Sequence, residues 1–347
     1  MVAKDGGGYV TGNFIDDLPT PALLLDAATL DHNLKVMSEA LPGPRLRPHV
    51  KAHKCSELAR RQSKLGHRGF TCATVREMEG LARAGLGDDL LLANEVLDAR
   101  RLGALDARVT VAVDSEETID AAAMGGVREV LIDVNVGLPR CGCDPDRAGS
   151  LADLARRKKL EVRGVMGYEG HAMLIEDAGE RAGIVAASMD RLAAAHADVG
   201  GDVISAGGTG SYACNGFATE IQAGSYALMD TAYAKIGSPF RPALFLLATV
   251  ISRSSNYAVA DCGLKALGMD HGDPTIDGYR VWFCSDEHVT FGRAEGDDRE
   301  AVALPRVGDR IRVVPAHVDP TVAYHERVHL VSGEGVVESW PIDLRGW

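Results

Sequence analysis

Lys51 lies in the run Arg47-Pro-His-Val-Lys-Ala-His-Lys54, where apolar neighbours and alternation direct its amine inward. Lysine is rarely buried without a reason, because burial strips the ammonium of its hydration. Two chemistries satisfy such a position: an amine of depressed pKa that forms a Schiff base, or a permanent partner for a carboxylate. The residues around Lys51 leave both open. Farther along, Gly207-Gly-Thr-Gly-Ser211 is either a phosphate cradle of backbone N–H groups or merely a tight turn. His317 and Asp319 stand two apart, which puts both on one face of an extended segment. Such a pair suits two ligands of a divalent ion with positions left for water and substrate, or a surface histidine beside an acid.

These residues need a frame. Apolar, β-branched runs at Pro21–Asp26, Arg47–Ala52, Phe70–Val75, Leu90–Asn94, Val109–Asp114, Val130–Gly137, Val162–Glu169 and Val203–Gly207 read as strands. Helical patterns fall between them at Ala27–Ala40, Ser56–Leu65, Val75–Ala84, Ser115–Met124, Asp144–Lys159 and along 176–199. About eight strand–helix repeats with nearly continuous apolar strands predict a parallel α/β barrel, with a doubly wound open sheet as the alternative. A barrel builds its site at the C-terminal strand ends. Those ends carry Lys51 and His53, Asn94, the segment Asn135 to Arg140, Tyr168 and His171, and the glycine-rich turn. Lys54 is expected to begin a helix and face solvent or phosphate.

Past residue 240 the rhythm changes. Ala248–Ser252, Tyr257–Asp261, Arg280–Cys284, Arg310–Val314 and Val328–Val331 read as strands, with turns at Gly296-Asp-Asp and Gly333-Glu-Gly. The expected division is a barrel over 20–240 and an antiparallel β domain over 241–347. Ser238-Pro-Phe-Arg-Pro242 marks the boundary, and residues 1–19 pack on the second domain.

Bulk properties exclude several classes. The 347 residues carry 37 basic against 49 acidic groups, and a net charge of -12 repels nucleic acid and anionic membrane surfaces. No run of ~18 apolar residues offers a membrane span. The opening residues have no apolar signal region, and seven scattered cysteines without a CxxC pair point to reduced thiols in the cytoplasm. Cys141-Gly-Cys143 is too closely spaced for a zinc knuckle.

Thr20-Pro-Ala-Leu-Leu-Leu-Asp26 and Arg47–Lys54 resemble the alanine-racemase-like barrel of pyridoxal-phosphate enzymes, and within it the D-threonine aldolase and D-serine dehydratase group. The similarity continues through Gly137-Leu-Pro-Arg-Cys-Gly142, Gly167-Tyr-Glu-Gly-His171, Gly207-Gly-Thr-Gly210, Glu220-Ile-Gln-Ala-Gly-Ser-Tyr226 and Ser285-Asp-Glu-His288. It ends with Pro315-Ala-His-Val-Asp-Pro-Thr-Val322 and Trp340-Pro-Ile-Asp-Leu-Arg345, so it spans almost the whole chain.

The resemblance implies pyridoxal 5'-phosphate bound through Lys51, Arg140 near the cofactor's phenolic oxygen, and Gly208, Thr209 and Tyr226 around its phosphate. Tyr168 joins the cofactor-binding set, and a homodimer is usual. It also gives His317 and Asp319 as metal ligands. Dehydratases of the group pair the histidine with a cysteine and hold zinc; aldolases have aspartate, which suits Mn2+ or Mg2+. The implied reaction is retro-aldol cleavage of a D-β-hydroxy-α-amino acid to glycine and an aldehyde, with His171 as the base because imidazole titrates near neutral pH. His53 and His288 are second-choice polar groups. Dehydration of a D-serine-type substrate and a non-enzymatic role in binding the cofactor are the alternatives. Racemisation is disfavoured because no tyrosine base is identifiable from sequence.

Overall fold

The computed structural model describes residues 14–294 and 303–347. The first strand, β1 (Ala22–Asp26), runs into α1 (Ala27–Ala40), which the Asp26 carboxylate caps by accepting from the Thr29 N–H at 2.8 Å. Helices and strands then alternate as α2 (Ser56–Lys64), β2 (Gly69–Cys72), α3 (Val75–Arg83), β3 (Asp89–Leu92), α4 (Arg100–Gly103), β4 (Val109–Val113) and α5 (Glu116–Met124). The series continues with β5 (Glu129–Asp133), α6 (Ala148–Arg157), β6 (Glu161–Gly167), α7 (Ala178–Val199), β7 (Val203–Ala206), β8 (Glu220–Ile221) and α8 (Thr231–Ala234).

Strands β2 to β8 form one parallel sheet in chain order. Its two edges meet on residues 46–49: Leu46 bridges Ile221 and His49 bridges Thr71, both in parallel sense. The Arg47 and His49 N–H groups donate to the Ile221 and Ala223 carbonyls at 2.9 and 3.1 Å, and Thr71 N–H donates to the Pro48 carbonyl at 2.9 Å. The ring is therefore a barrel, not an open sheet. Alternation sorts its side chains. Leu90, Leu92, Val111, Val113, Val130 and Ile132 join the main core, whereas Leu91, Ala112, Leu131 and Met166 form a separate cluster. That second set is the plug inside the barrel.

Below the plug, at the strand starts, lies a network of charges. Arg47 reaches Glu220 and Asp89 at 2.7 Å each, and Arg163 reaches Asp89 at 2.9 Å and Glu129 at 3.4 Å. These groups tie the seam segment to β3, β5, β6 and β8. Arg47→Met leaves the largely buried Glu220 carboxylate without its cation and Asp89 with Arg163 alone, so a loss of about 3–5 kcal/mol is expected. Urea unfolding should show the midpoint falling at an unchanged slope; a shift within error would mean the network is dispensable.

The second sheet holds nine strands. Its members are β1, β9 (Leu244–Arg253), β10 (Tyr257–Ala260), β11 (Thr275–Ile276), β12 (Tyr279–Cys284), β13 (Val289–Arg293), β14 (Arg310–Val314), β15 (Arg327–Ser332) and β16 (Gly335–Pro341). The order is β10-β13-β12-β11-β14-β9-β1-β15-β16, and β9 also pairs with β10, which closes the first six into an antiparallel barrel. The segment before β1 packs here too, with Ile15 and Leu18 against Leu24, Leu247 and Val331.

Four expectations are corrected. Strand Ala22–Asp26 belongs to this second sheet, pairing antiparallel with β9 and parallel with β15. Its Leu23-Leu24-Leu25 is buried on both faces, as a parallel-barrel strand would be, and apolar pattern does not reveal the partner. The last barrel strand is the two-residue β8, so the glycine-rich turn follows the seventh strand of the ring. The expected strand Arg47–Ala52 is extended only to His49, then turns through the 3-10 segment Val50–Ala52. The segment holding His317 and Asp319 is not extended, because Val318–Tyr324 is a helix, α9. The expected turn at Gly296-Asp-Asp lies outside the described residues.

Candidate active site

A cavity of about 440 Å3 opens at the C-terminal strand ends, above the Met166 of the plug and beneath the start of α9. Lys51 enters from the Val50–Ala52 turn, half-exposed, with Nζ 3.8 Å from Asp319 Oδ1. A charge-assisted hydrogen bond runs to about 2.7–2.9 Å, so this amine is near a carboxylate without being locked to it.

Asp319 arrives on the first turn of α9, with His317 as the residue capping that helix. Asp230, from the barrel, accepts the Val318 N–H at 3.0 Å and the Tyr233 N–H at 2.9 Å. From the β domain, Thr321 Oγ1 donates to the His317 carbonyl at 2.7 Å and accepts the Gly268 N–H at 2.8 Å. Both halves of the molecule thus hold the His-x-Asp segment in place. His317 Nε2 lies 3.7 Å from Asp319 Oδ2. That oxygen is buried and has no hydrogen-bond partner among the described residues. A buried carboxylate oxygen left unpaired beside an imidazole nitrogen fits a cation, since two bonds of about 2.1 Å can span that gap. On its other side, His317 Nδ1 lies 2.8 and 2.9 Å from the two oxygens of Asp270, and His271 stacks on the ring at 3.8 Å.

The glycine-rich turn is braced from below. The buried Glu169 carboxylate accepts the Gly207 N–H at 3.1 Å and an Asn215 amide N–H at 3.1 Å, and Ser211 Oγ accepts the Gly208 N–H at 3.1 Å. Gly207 has φ +80°, a conformation that side chains resist. Gly224 is needed for another reason: a Cβ there would stand 2.4 Å from the His49 carbonyl oxygen. Its absence lets the Gly224–Ser225 backbone reach the cavity beside Gly208 and Thr209. An amine, a guanidinium and two backbone turns around one cavity fit a phosphorylated aldehyde of pyridoxal type.

The remaining expected residues divide. Arg140 lines the cavity, its guanidinium 5.3 Å over the Tyr168 ring, and Tyr168 lines it as well. Gly208 and Thr209 are there. The Tyr226 side chain is not: its ring is buried against Phe240, Gln62 Nε2 donates to its hydroxyl at 3.0 Å, and its N–H donates to Thr209 Oγ1. His171 is exposed on the turn after β6, outside the lining residues and beside Gly137 of the loop that carries Arg140. His288 is exposed, and Asn94 reaches the cavity. Lys54 does not begin a helix; it adopts φ 45° and pairs with the buried Glu77, whose other oxygen accepts the Ala73 N–H at 2.6 Å.

His49, Gln222, Ser225 and Tyr233 also line the cavity and were not singled out from the sequence. His49 stood in view within the Lys51 motif, and Gln222 and Ser225 within the run Glu220–Tyr226; Tyr233, on the four-residue α8, had no motif around it. Burial holds the phenols of Tyr168 and Tyr233 well above their ordinary value, so both act as donors near neutral pH.

His53 is buried among Leu23, Leu25, Leu58 and Val322, and its Nδ1 accepts the Cys55 N–H at 3.2 Å. Burial pulls the imidazole down from 6.5 to about 4. Unfolding therefore takes up a proton between those values: stability is complete above pH 6.5 and falls as pH drops through the window, by at most about 3 kcal/mol. Urea titrations at pH 7.5 and 4.5 should show His53→Leu losing less stability over that interval than the wild type.

The description "Alanine racemase, N-terminal domain" matches residues 25–231, and "Putative serine dehydratase domain" matches residues 243–331. The chain belongs to this alanine-racemase-type family. Within it, a D-threonine aldolase from Arthrobacter sp is 34% identical over 97% of this chain and 95% of its own. A 3-hydroxy-D-aspartate aldolase from Paracoccus denitrificans is 32% identical over 100% and 99%. Among solved structures, D-threonine aldolase from Filomicrobium marinum superposes with TM-score 0.88 at 35% identity, covering 96% of this chain and 98% of that one. D-threo-3-hydroxyaspartate dehydratase from Delftia sp. HT23 has TM-score 0.87 at 24% identity over 97% and 100%, a likeness of fold. The family holds aldolases and dehydratases of D-β-hydroxy amino acids.

Proposed function

We propose that this chain cleaves D-β-hydroxy-α-amino acids of the D-threonine type to glycine and an aldehyde, with pyridoxal phosphate on Lys51 and a divalent ion, Mn2+ or Mg2+, on His317 and Asp319. One observation carries the reading: a single carboxylate, Asp319, stands 3.8 Å from the Lys51 amine and 3.7 Å from the His317 imidazole. The amine that would anchor the cofactor and the side chains that would hold the ion are thus neighbours, joined through Asp319 at the cavity wall.

When bound, the cofactor supplies an electron sink for charge developing at Cα, and the ion supplies Lewis acidity at the β-oxygen. The protein's residues do the rest. Gly208, Thr209 and Ser225 offer a narrow polar turn for the phosphate, and Arg140, held over Tyr168, favours negative charge on the cofactor's phenolic oxygen. His171, exposed beside Gly137 of the loop that carries Arg140, is the group to which we assign the β-hydroxyl proton. The Tyr168 and Tyr233 phenols stand in the walls, where each can donate to a bound group. Aspartate in place of cysteine at 319 supports harder ions and the aldolase reading. The relatives named as aldolases are also the more similar in sequence.

The decisive test is incubation with D-threonine, D-phenylserine, D-3-hydroxyaspartate and D-serine. Glycine plus the matching aldehyde is the expected product. An α-keto acid with ammonia would make the enzyme a dehydratase, and no turnover of any of the four would leave a cofactor-binding protein.

A further inference from the structure

We propose that Asp270 is a positioning residue for the metal site: it holds the Nδ1–H tautomer and the angle of His317, leaving Nε2 as the coordinating nitrogen. This rests on the metal reading above. A carboxylate only accepts hydrogen bonds, and both oxygens of Asp270 lie within 2.9 Å of His317 Nδ1. Nδ1 therefore carries the proton, and the lone pair of the neutral ring is at Nε2, on the side of Asp319. The ring is held on a second axis by His271, stacked at 3.8 Å with planes 13° apart. A ligand fixed by both a hydrogen bond and a stack loses little freedom when it binds an ion.

The same residues admit a rival arrangement. Asp270, His271 and His317 each present a donor atom within 4.8 Å of the others, so they could enclose an ion by themselves. Two observations favour the inner site. The Asp270 oxygens are already engaged by His317 and the side chain is 56% exposed, where hydration competes with ligation. Asp319 Oδ2, by contrast, is buried and unpartnered.

Mn2+ binding to chelator-stripped, cofactor-loaded protein, followed by the loss of the free-ion EPR signal, separates these. The inner site predicts that His317→Ala and Asp319→Ala abolish binding, that Asp270→Ala weakens it about 10–100-fold, and that Asp270→Glu restores part of the loss. It also predicts that His271→Ala costs less than Asp270→Ala. Nitrogen-15 NMR of the metal-free protein should show His317 protonated at Nδ1 in the wild type and a tautomer mixture in Asp270→Ala. Wild-type affinity in Asp270→Ala, with His317→Ala inactive in binding, overturns the role of Asp270 alone. Equal loss in Asp270→Ala and His271→Ala with none in Asp319→Ala moves the ion to the outer group and overturns it as well. Absence of Mn2+ binding by the wild type removes the metal reading and this inference together.

Discussion

Lys51→Ala is expected to lower turnover of D-threonine by on the order of 10³-fold or more, and to release pyridoxal phosphate on gel filtration. The neighbourhood explains the size of the effect. The other lysine lining the cavity among the described residues, Lys54, is paired with the buried Glu77 instead of offering a free amine. Lys51→Arg is the sharper variant. It keeps a positive charge within reach of Asp319, so it preserves an ion pair, but a guanidinium does not form an imine under these conditions. If Lys51 served only as the partner of Asp319, Lys51→Arg would keep most of the activity. Equal collapse of the alanine and arginine variants, with unchanged thermal unfolding, assigns the position to covalent chemistry. Retention of more than a tenth of wild-type turnover in Lys51→Arg would sink that assignment.

Removal of the divalent ion is expected to have the second-largest effect. EDTA treatment, His317→Ala and Asp319→Ala should each lower turnover by about 10²–10⁴-fold, the equivalent of several kcal/mol of Lewis-acid assistance at 1.36 kcal/mol per tenfold. Mn2+ should restore the EDTA-treated protein and neither variant. Asp319 carries an additional signature. Its Oδ1 faces Lys51, so Asp319→Ala also removes the anion nearest the amine, whereas His317→Ala does not. The pH dependence of cofactor absorbance should therefore move in Asp319→Ala and stay in place in His317→Ala. Full activity in EDTA would end the metal-assisted mechanism while leaving Lys51 untouched.

Much of this molecule was legible in its residues. Lys51, Arg140, the glycine-rich turn and Asp319 meet at one cavity, and α1 occupies the range its periodicity predicts. Elements whose local signal is short or ambiguous were not legible. The two-residue β8 has no period to detect. The Leu23-Leu24-Leu25 strand reads as barrel because burial on both faces looks the same whichever sheet supplies the neighbours. Asp270 and His271 sit in a loop 46–47 positions before His317 with no motif around them, and only the pairing of Gly268 with His317 brings them to the ring.

The chain's sequence by itself determined the candidate groups and their order: an inward-directed amine, a glycine-rich turn, and a histidine and an aspartate two apart. Those follow from residue type and spacing, which are local. The tertiary structure decided which of them share a space. It closed the barrel over residues 46–49, brought α9 across from the β domain, and placed the Asp319 carboxylate between the Lys51 amine and the His317 imidazole. Contacts between residues nearly 270 positions apart depend on strand pairing and on the anchors of Asp230 and Thr321, and no local pattern encodes them.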